Sequence, residues 1–342
     1  NYPMIDGVVK GCPHHILEPQ RTNSFVQSNQ FDTTWLKSSG VTITSEQTIS
    51  PEGINNGWKF EKTADVYKSI GQNYTSSSET TFSIFAKKGT LSVITLFANI
   101  NSGTNLYQRF DLENGTISTG AGMSSSNIEE YGNGWYRCSS TFTNTDVQRL
   151  DYFVDFGENK AGFIYIYGAQ AEVGNYLTSY IKTTSAAVTR STETANGSGD
   201  ASTFNDSEGV LMAEISAFGE TVAVNNWITI SDETSNNYIA IQQETTGYVI
   251  ARVKSGGSTQ ALMSSLINQD IISKIAVKYK ENDFSLYING FELGSDNSGS
   301  VFSSNTLTKL HLNYINVSND FYGNTKQLQY YDTALTDSEL ET

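Results

Sequence analysis

The sequence predicts an all-β protein built as two tandem β-sandwiches. Period-2 alternation of apolar and polar residues recurs along the chain, the mark of strands buried on one face. Glycines number 28 against 4 prolines, among abundant Ser, Thr, Asn and Tyr, as short strands joined by turns require. The 342 residues, at about 150 per domain, make room for two cores.

Taken in order, strands are predicted at 81–86, 91–99 and 107–112, with a hairpin turn at Asn114-Gly115. Asn-Gly favours such turns because both central positions of a type I′ turn need φ > 0. A second Asn-Gly, Asn133-Gly134, leads into a strand at 135–138. Strands follow at 151–156 and at 163–167, the latter ending at Gly168. Nothing before residue 190 has a long helical period. The polar, Gly- and Ser-containing stretch 191–206 reads as a linker. Beyond it strands are predicted at 210–215, 227–230, 238–242, 248–253, 275–279, 284–288 (closed by Asn289-Gly290), 307–312 and 323–331. Thr336 and Glu339 have the spacing of a capping box at a helix start. The expected organisation is an extended segment over 1–22, a first sandwich over 23–190, the linker, and a second sandwich over 207–342. No internal repeat relates the halves.

Composition removes several functions. Lys and Arg total 21 against 36 Asp and Glu, a net charge of −15, which opposes binding to a phosphate backbone. No run approaches the ~18 apolar residues of a membrane span, so neither nucleic acid nor membrane insertion is expected. The 3 histidines, His14, His15 and His311, are too few for a His-rich metal site and poor material for a triad. Cys12 and Cys138 form no CxxC pair and read as free, partly buried thiols, with a disulfide between them left open. No phosphate-binding G-x-x-x-x-G-K-[ST] loop occurs. Asp and Asn cluster in loops, the oxygen set calcium takes, yet no D-x-[DN]-x-[DN]-G loop is present; no cofactor is expected. The chain starts at Asn1 with no charged-then-apolar leader and reads as a fragment or processed product.

Two separated motif sets go beyond pattern. Cys12-Pro13 followed by Leu17-Glu18-Pro19-Gln20-Arg21-Thr22-Asn23 opens the first half. Gly168-Ala169-Gln170-Ala171-Glu172-Val173-Gly174, Ser179-Tyr180-Ile181, Thr184 and Ala187-Val188-Thr189-Arg190 close it, with Asn133-Gly134-Trp135-Tyr136-Arg137 between. In this order they resemble a family of tailed-phage virion structural proteins; His14-His15 and Lys182 depart from its usual pattern. The resemblance covers about residues 1–190. It implies a jelly roll similar to carbohydrate-binding modules, on a fibre or other head or tail appendage, commonly trimeric. The second half, through 275–279, Leu286-Tyr287-Ile288-Asn289-Gly290 and the closing run 330–340, is similar to concanavalin A-like or laminin-G-like sandwiches. These resemblances imply a non-enzymatic virion appendage binding host-surface or environmental glycans, alongside other virion proteins. The alternative is a pair of glycan-binding modules from a secreted or cell-surface bacterial enzyme or adhesin.

A glycosidase needs two carboxylates flanking the scissile bond. The run 214–220 lacks the spacing of the E-x-D-x-x-E arrangement such a sandwich would use. Sugar binding needs only an aromatic face beside polar groups. Alternation puts Tyr152, Val154 and Phe156 on an apolar face and leaves Asp151, Phe153 and Asp155 on the other, an aromatic between two carboxylates. Tyr107, Arg109 and Asp111 share a face in the same way, although an ion-pair ladder explains them equally. Trp135 and Trp227 enter strands and are expected in cores; Trp35 and Trp58 sit among polar residues and are surface candidates. In the second half Asn236, Tyr238 and Tyr314 are loop-or-edge groups suited to a glycan, although turn chemistry explains asparagines equally.

Overall fold

The computed structural model describes residues 14–65, 67–218, 225–315 and 319–341, with the backbone of a short strand pair at Met4–Ile5 and Val8–Val9. Cys12 lies outside the described residues. The chain divides into two compact units, one of residues 20–191 and one joining residues 14–19 to 192–341. The fold is all-β; the helix among the described residues is Asp337–Leu340, where Glu339 accepts from the Thr336 N–H at 2.8 Å. Among the described residues no helix is long and apolar enough to cross a membrane.

In the first unit, one six-stranded sheet runs Thr116–Ala121, Leu106–Asp111, Val93–Ile100, Val147–Val154, Ser69–Asn73, Leu36–Lys37. The other runs Ser125–Glu130, Trp135–Phe142, Thr80–Lys87, Lys160–Val173, Gly57–Asp65, Val41–Thr48. Alternation sends Ile94, Leu96, Ala98, Leu150, Tyr152 and Val154 from the first sheet, and Phe60, Phe82, Ile84, Ile164 and Ile166 from the second, into one shared core. Each such large apolar side chain contributes about 1.5–3 kcal/mol when fully buried. Asn133 (φ 53) and Gly134 (φ 74) turn the chain between Ser125–Glu130 and Trp135–Phe142, as their sequence predicts.

The strand expected to stop at Gly168 continues to Val173. Its register slips between Tyr167 and Gln170, and Gly168 there has φ 56. A Cβ at Gly168 would lie 3.1 Å from the Tyr180 ring, so the bulge makes room for the chain that packs over it.

The motif residues meet in this unit. Arg21–Asn23 and Val188–Arg190 pair as antiparallel strands, Thr22 opposite Thr189. Asn23 donates through Nδ2 to the carbonyls of Ala169 (3.1 Å) and Ile181 (2.8 Å). Its Oδ1 accepts from the N–H groups of Phe25 and Ala171, both at 3.1 Å. Fully buried Glu172 accepts from the Thr178 N–H (2.8 Å), the Thr178 hydroxyl (2.6 Å) and the Gln170 amide (2.9 Å). Arg21 stands 3.8 Å from the same carboxylate. These side chains fasten the beginning of the unit to its end.

In the second unit the sheets run Asn196–Ser198, Lys309–His311, Asn226–Ser231, Tyr238–Gln243, Tyr248–Ser255, Ser258–Leu266, and Phe291–Asp296, Phe284–Ile288, Ser273–Lys280, Glu208–Ala217, Gly323–Tyr331, His15–Leu17. Their inner faces share a core that includes Leu211, Ile215, Ile230, Ile241, Val253, Val277 and Leu286. Two expectations change here. Of the stretch 191–206, read as a linker, residues 192–206 pack on this unit: Asn196–Ser198 pairs with Lys309–His311, and Phe204 lies in the core. Residues 14–19, read as part of an extended arm, supply an edge strand beside Gly323–Tyr331 and bury Leu17. An added strand satisfies an otherwise unpaired sheet edge, which local sequence cannot announce.

Candidate functional site

The first unit's first sheet turns its outer face away from the core. Cross-strand register there sets Phe97 opposite both Tyr107 and Asp151, and Thr95 opposite Arg109 and Phe153. Tyr107, Arg109, Asp151 and Phe153, singled out in the sequence, therefore share one face.

Phe156 joins them, against the expectation that it lies with Tyr152 and Val154. The strand stops at Val154 and Asp155 adopts φ 48, which breaks the alternation and turns Phe156 outward. Phe156 then packs on Phe97 (5.5 Å between centroids), Tyr107 (5.5 Å), Phe153 (5.1 Å) and the exposed Tyr67 (5.2 Å). Phe97 stacks on Tyr107 at 16°. The result is an aromatic patch in which Phe97 and Phe153 are buried beneath Tyr107, Phe156 and Tyr67. Phe97, Phe156 and Tyr67 were missed in the sequence; Gly157 (φ 83), directly after Phe156, is the signal for a turn that reverses facing there.

Beside the patch lies a cleft of ≈ 420 Å³ lined in part by Arg109, Asp155, Phe156, Lys88, Glu113 and Lys160. Arg109 lies over the Phe156 ring at 5.4 Å and donates to the Phe156 carbonyl. Lys62 is 2% exposed and donates through Nζ to the carbonyls of Asp65 (3.0 Å), Asp155 (3.3 Å) and Glu158 (2.8 Å), so a buried ammonium pins the turn that forms the cleft wall. Burial pushes the Lys62 pKa down, against the pull of Asp155 and Asp65. Burial likewise raises the Asp155 carboxyl, opposed by Lys160, Lys62 and Arg109.

Asp151 is on the outer face yet 1% exposed. It accepts from Arg149 Nε (2.7 Å), Ser69 Oγ (3.3 Å) and the Asn99 amide, and burial raises its pKa. It braces neighbouring strands instead of facing a ligand.

Trp35 and Trp58, expected at the surface, belong to the core at 3% and 7% exposure. Their indoles donate to the carbonyls of Gln27 (3.0 Å) and Asn29 (3.1 Å), and Trp35 packs between Phe25 and Phe31. Polar sequence neighbours misled because they belong to loops that fold over these rings. Trp135 and Trp227 are buried, in small clusters apart from the two main cores.

In the second unit Trp227, Tyr238 and Tyr314 come together on an outer sheet face, Tyr314 lying 4.6 Å and 5.9 Å from the other two rings. Tyr238, expected on a loop or edge, is a 2% exposed interior-strand residue. Asn236 stands apart on the exposed turn before that strand, where its N–H donates to Thr234 Oγ1. Among the described residues no group of three or more His, Cys, Asp or Glu side chains is placed to hold a metal ion. Cys138 is a buried free thiol whose pKa burial raises well above its ordinary value.

No protein-family model matches this chain, and no curated protein does. Similar solved structures include the sialidase CBM40 of Ruminococcus gnavus bound to α2,3 sialyllactose (15% identity, 43% of this chain and 92% of that one, TM-score 0.36). Domain 4 of an extracellular arabinanase from Geobacillus stearothermophilus, in complex with arabinotriose, is similar at 16% identity over 42% of this chain and 68% of that one (TM-score 0.34). Mouse laminin α1 domains LG4-5 are similar at 10% identity over 92% and 94% (TM-score 0.30).

Proposed function

We propose that this chain is a non-catalytic glycan-binding component of a virion appendage, engaging host-surface or environmental glycans through the outer face of its first sheet. The observation that carries the binding reading is the Phe97–Tyr107–Phe153–Phe156 patch opening into a cleft of mixed charge. Aromatic faces accept the C–H groups of a pyranose, and ammonium, guanidinium, carboxylate and hydroxyl groups beside them serve its hydroxyls. The virion setting, and a trimeric assembly with other virion proteins, rest on the opening and closing motifs. Many copies on one particle convert weak sites into firm attachment by avidity.

A glycan array combined with whole-cell binding tests this reading. Binding that falls on substitution of Tyr107 supports it, and silence on both assays refutes it. New reducing ends or unsaturated uronates on incubation with polysaccharides would refute the non-catalytic part alone. Light scattering of the purified protein tests the trimer.

A further inference from the structure

Six charged side chains line the cleft, the cations Lys88, Arg109 and Lys160 and the anions Glu113, Asp155 and Glu158. Lys88 pairs with Glu113, and Lys160 lies 3.5 Å from Glu158. Arg109 donates through Nη2 to the Phe156 carbonyl, lies over the Phe156 ring and is within Coulombic reach of Asp155, while its Nε is buried away from solvent and makes no hydrogen bond. The buried Lys62 directs its ammonium at three carbonyls. Among the described residues, no lining cation is left without a carboxylate or carbonyl partner.

A ligand carboxylate entering here would have to lose water and compete with the partner that each lining cation already has, and it would meet three carboxylates. The chain's net charge of −15 adds longer-range repulsion toward an acidic polymer, screened at physiological salt. Neutral hydroxyls face no such cost. Each both donates and accepts, and the paired charges together with the lining residues Thr90, Ser92 and Ser118 supply both kinds of partner. We infer that the cleft takes neutral saccharides and discriminates against glycans bearing sialic or uronic acids. This rests on the glycan-binding reading of the same site.

The test is the full chain on an array carrying neutral glycans beside the same glycans extended with sialic or uronic acid, at 20 mM and 150 mM salt as chosen conditions of about a 20 Å and an 8 Å Debye length. Neutral members should be retained and their acidic counterparts weakened, more so at low salt. The variant Glu113→Gln, at a half-exposed position, removes the Lys88 partner and frees that cation. It should narrow the neutral-to-acidic ratio by about two- to fivefold, the effect of one exposed charge pair. Acidic glycans bound as well as neutral ones, or a ratio unmoved by Glu113→Gln, would overturn the inference and leave the glycan-binding reading standing. Binding to neither class would overturn that reading itself.

Discussion

The Asn23 amide donates at 2.8 Å to the carbonyl of Ile181, 158 residues away in sequence. With its three other bonds it closes the first unit as a clasp, buried from water. Asn23→Ala leaves buried backbone groups without partners and should destabilise this unit by about 3 kcal/mol. Urea melts followed by intrinsic fluorescence measure this; a loss under half a kilocalorie would show the clasp to be dispensable.

Leu17 belongs by sequence to the beginning of the chain and by packing to the second unit. Leu17→Ala should lower the stability of the second unit by about 2–4 kcal/mol while leaving the first unchanged. Hydrogen exchange resolved by segment separates the two, and protection lost around Asn23 instead would contradict this assignment.

Phe156 and Trp35 are aromatic residues of the same unit with opposite roles. Phe156→Ala should weaken glycan binding by about five- to tenfold, as loss of an aromatic anchor does, with little change in melting temperature. Trp35→Ala should cost about 3–5 kcal/mol of stability because it empties the core. Calorimetric titration and melting of both variants distinguish them.

His311 is fully buried and its Nδ1 accepts from the Gly197 N–H at 3.2 Å, which requires the neutral ring. Burial lowers its pKa below the ordinary 6.5, with Glu233 opposing and Lys309 assisting. The unfolded chain therefore takes up the proton first, so this contribution is intact above pH 6.5 and is lost as pH falls through the folded value. His311→Gln should flatten the acid-side slope of stability against pH, measured by denaturant melts at successive pH values.

Cys138 is fully buried with a raised pKa, so in a Cys12→Ser background its thiol should resist labelling by a disulfide reagent in the native state and react on unfolding. Rapid native labelling would contradict the packing described.

Much of the fold was legible because strand alternation and turn chemistry are local. The Asn289-Gly290 hairpin, with φ 52 and 81, lies where the sequence places it. Strands such as Thr116–Ala121, exposed along its whole length, escaped because an edge strand with both faces wet carries no apolar alternation. Of the candidate site, Tyr107, Arg109 and Phe153 lie on the face that alternation assigns them, whereas Asp155 lies beyond the strand end, where alternation no longer applies. Phe156 was lost to a single left-handed residue, and Trp35 and Trp58 were misplaced because their burial comes from distant chain.

The sequence by itself determined that this is a β-protein of two cores, acidic, and poor in the histidines and cysteines that most site chemistry uses. The tertiary structure alone decided that residues 14–19 complete the second unit, that the opening and closing motifs clasp each other, and which rings lie against solvent. The physical reason is range. A turn or an alternating strand is specified by neighbours a few residues apart, whereas strand partners and burial depend on segments more than a hundred residues away.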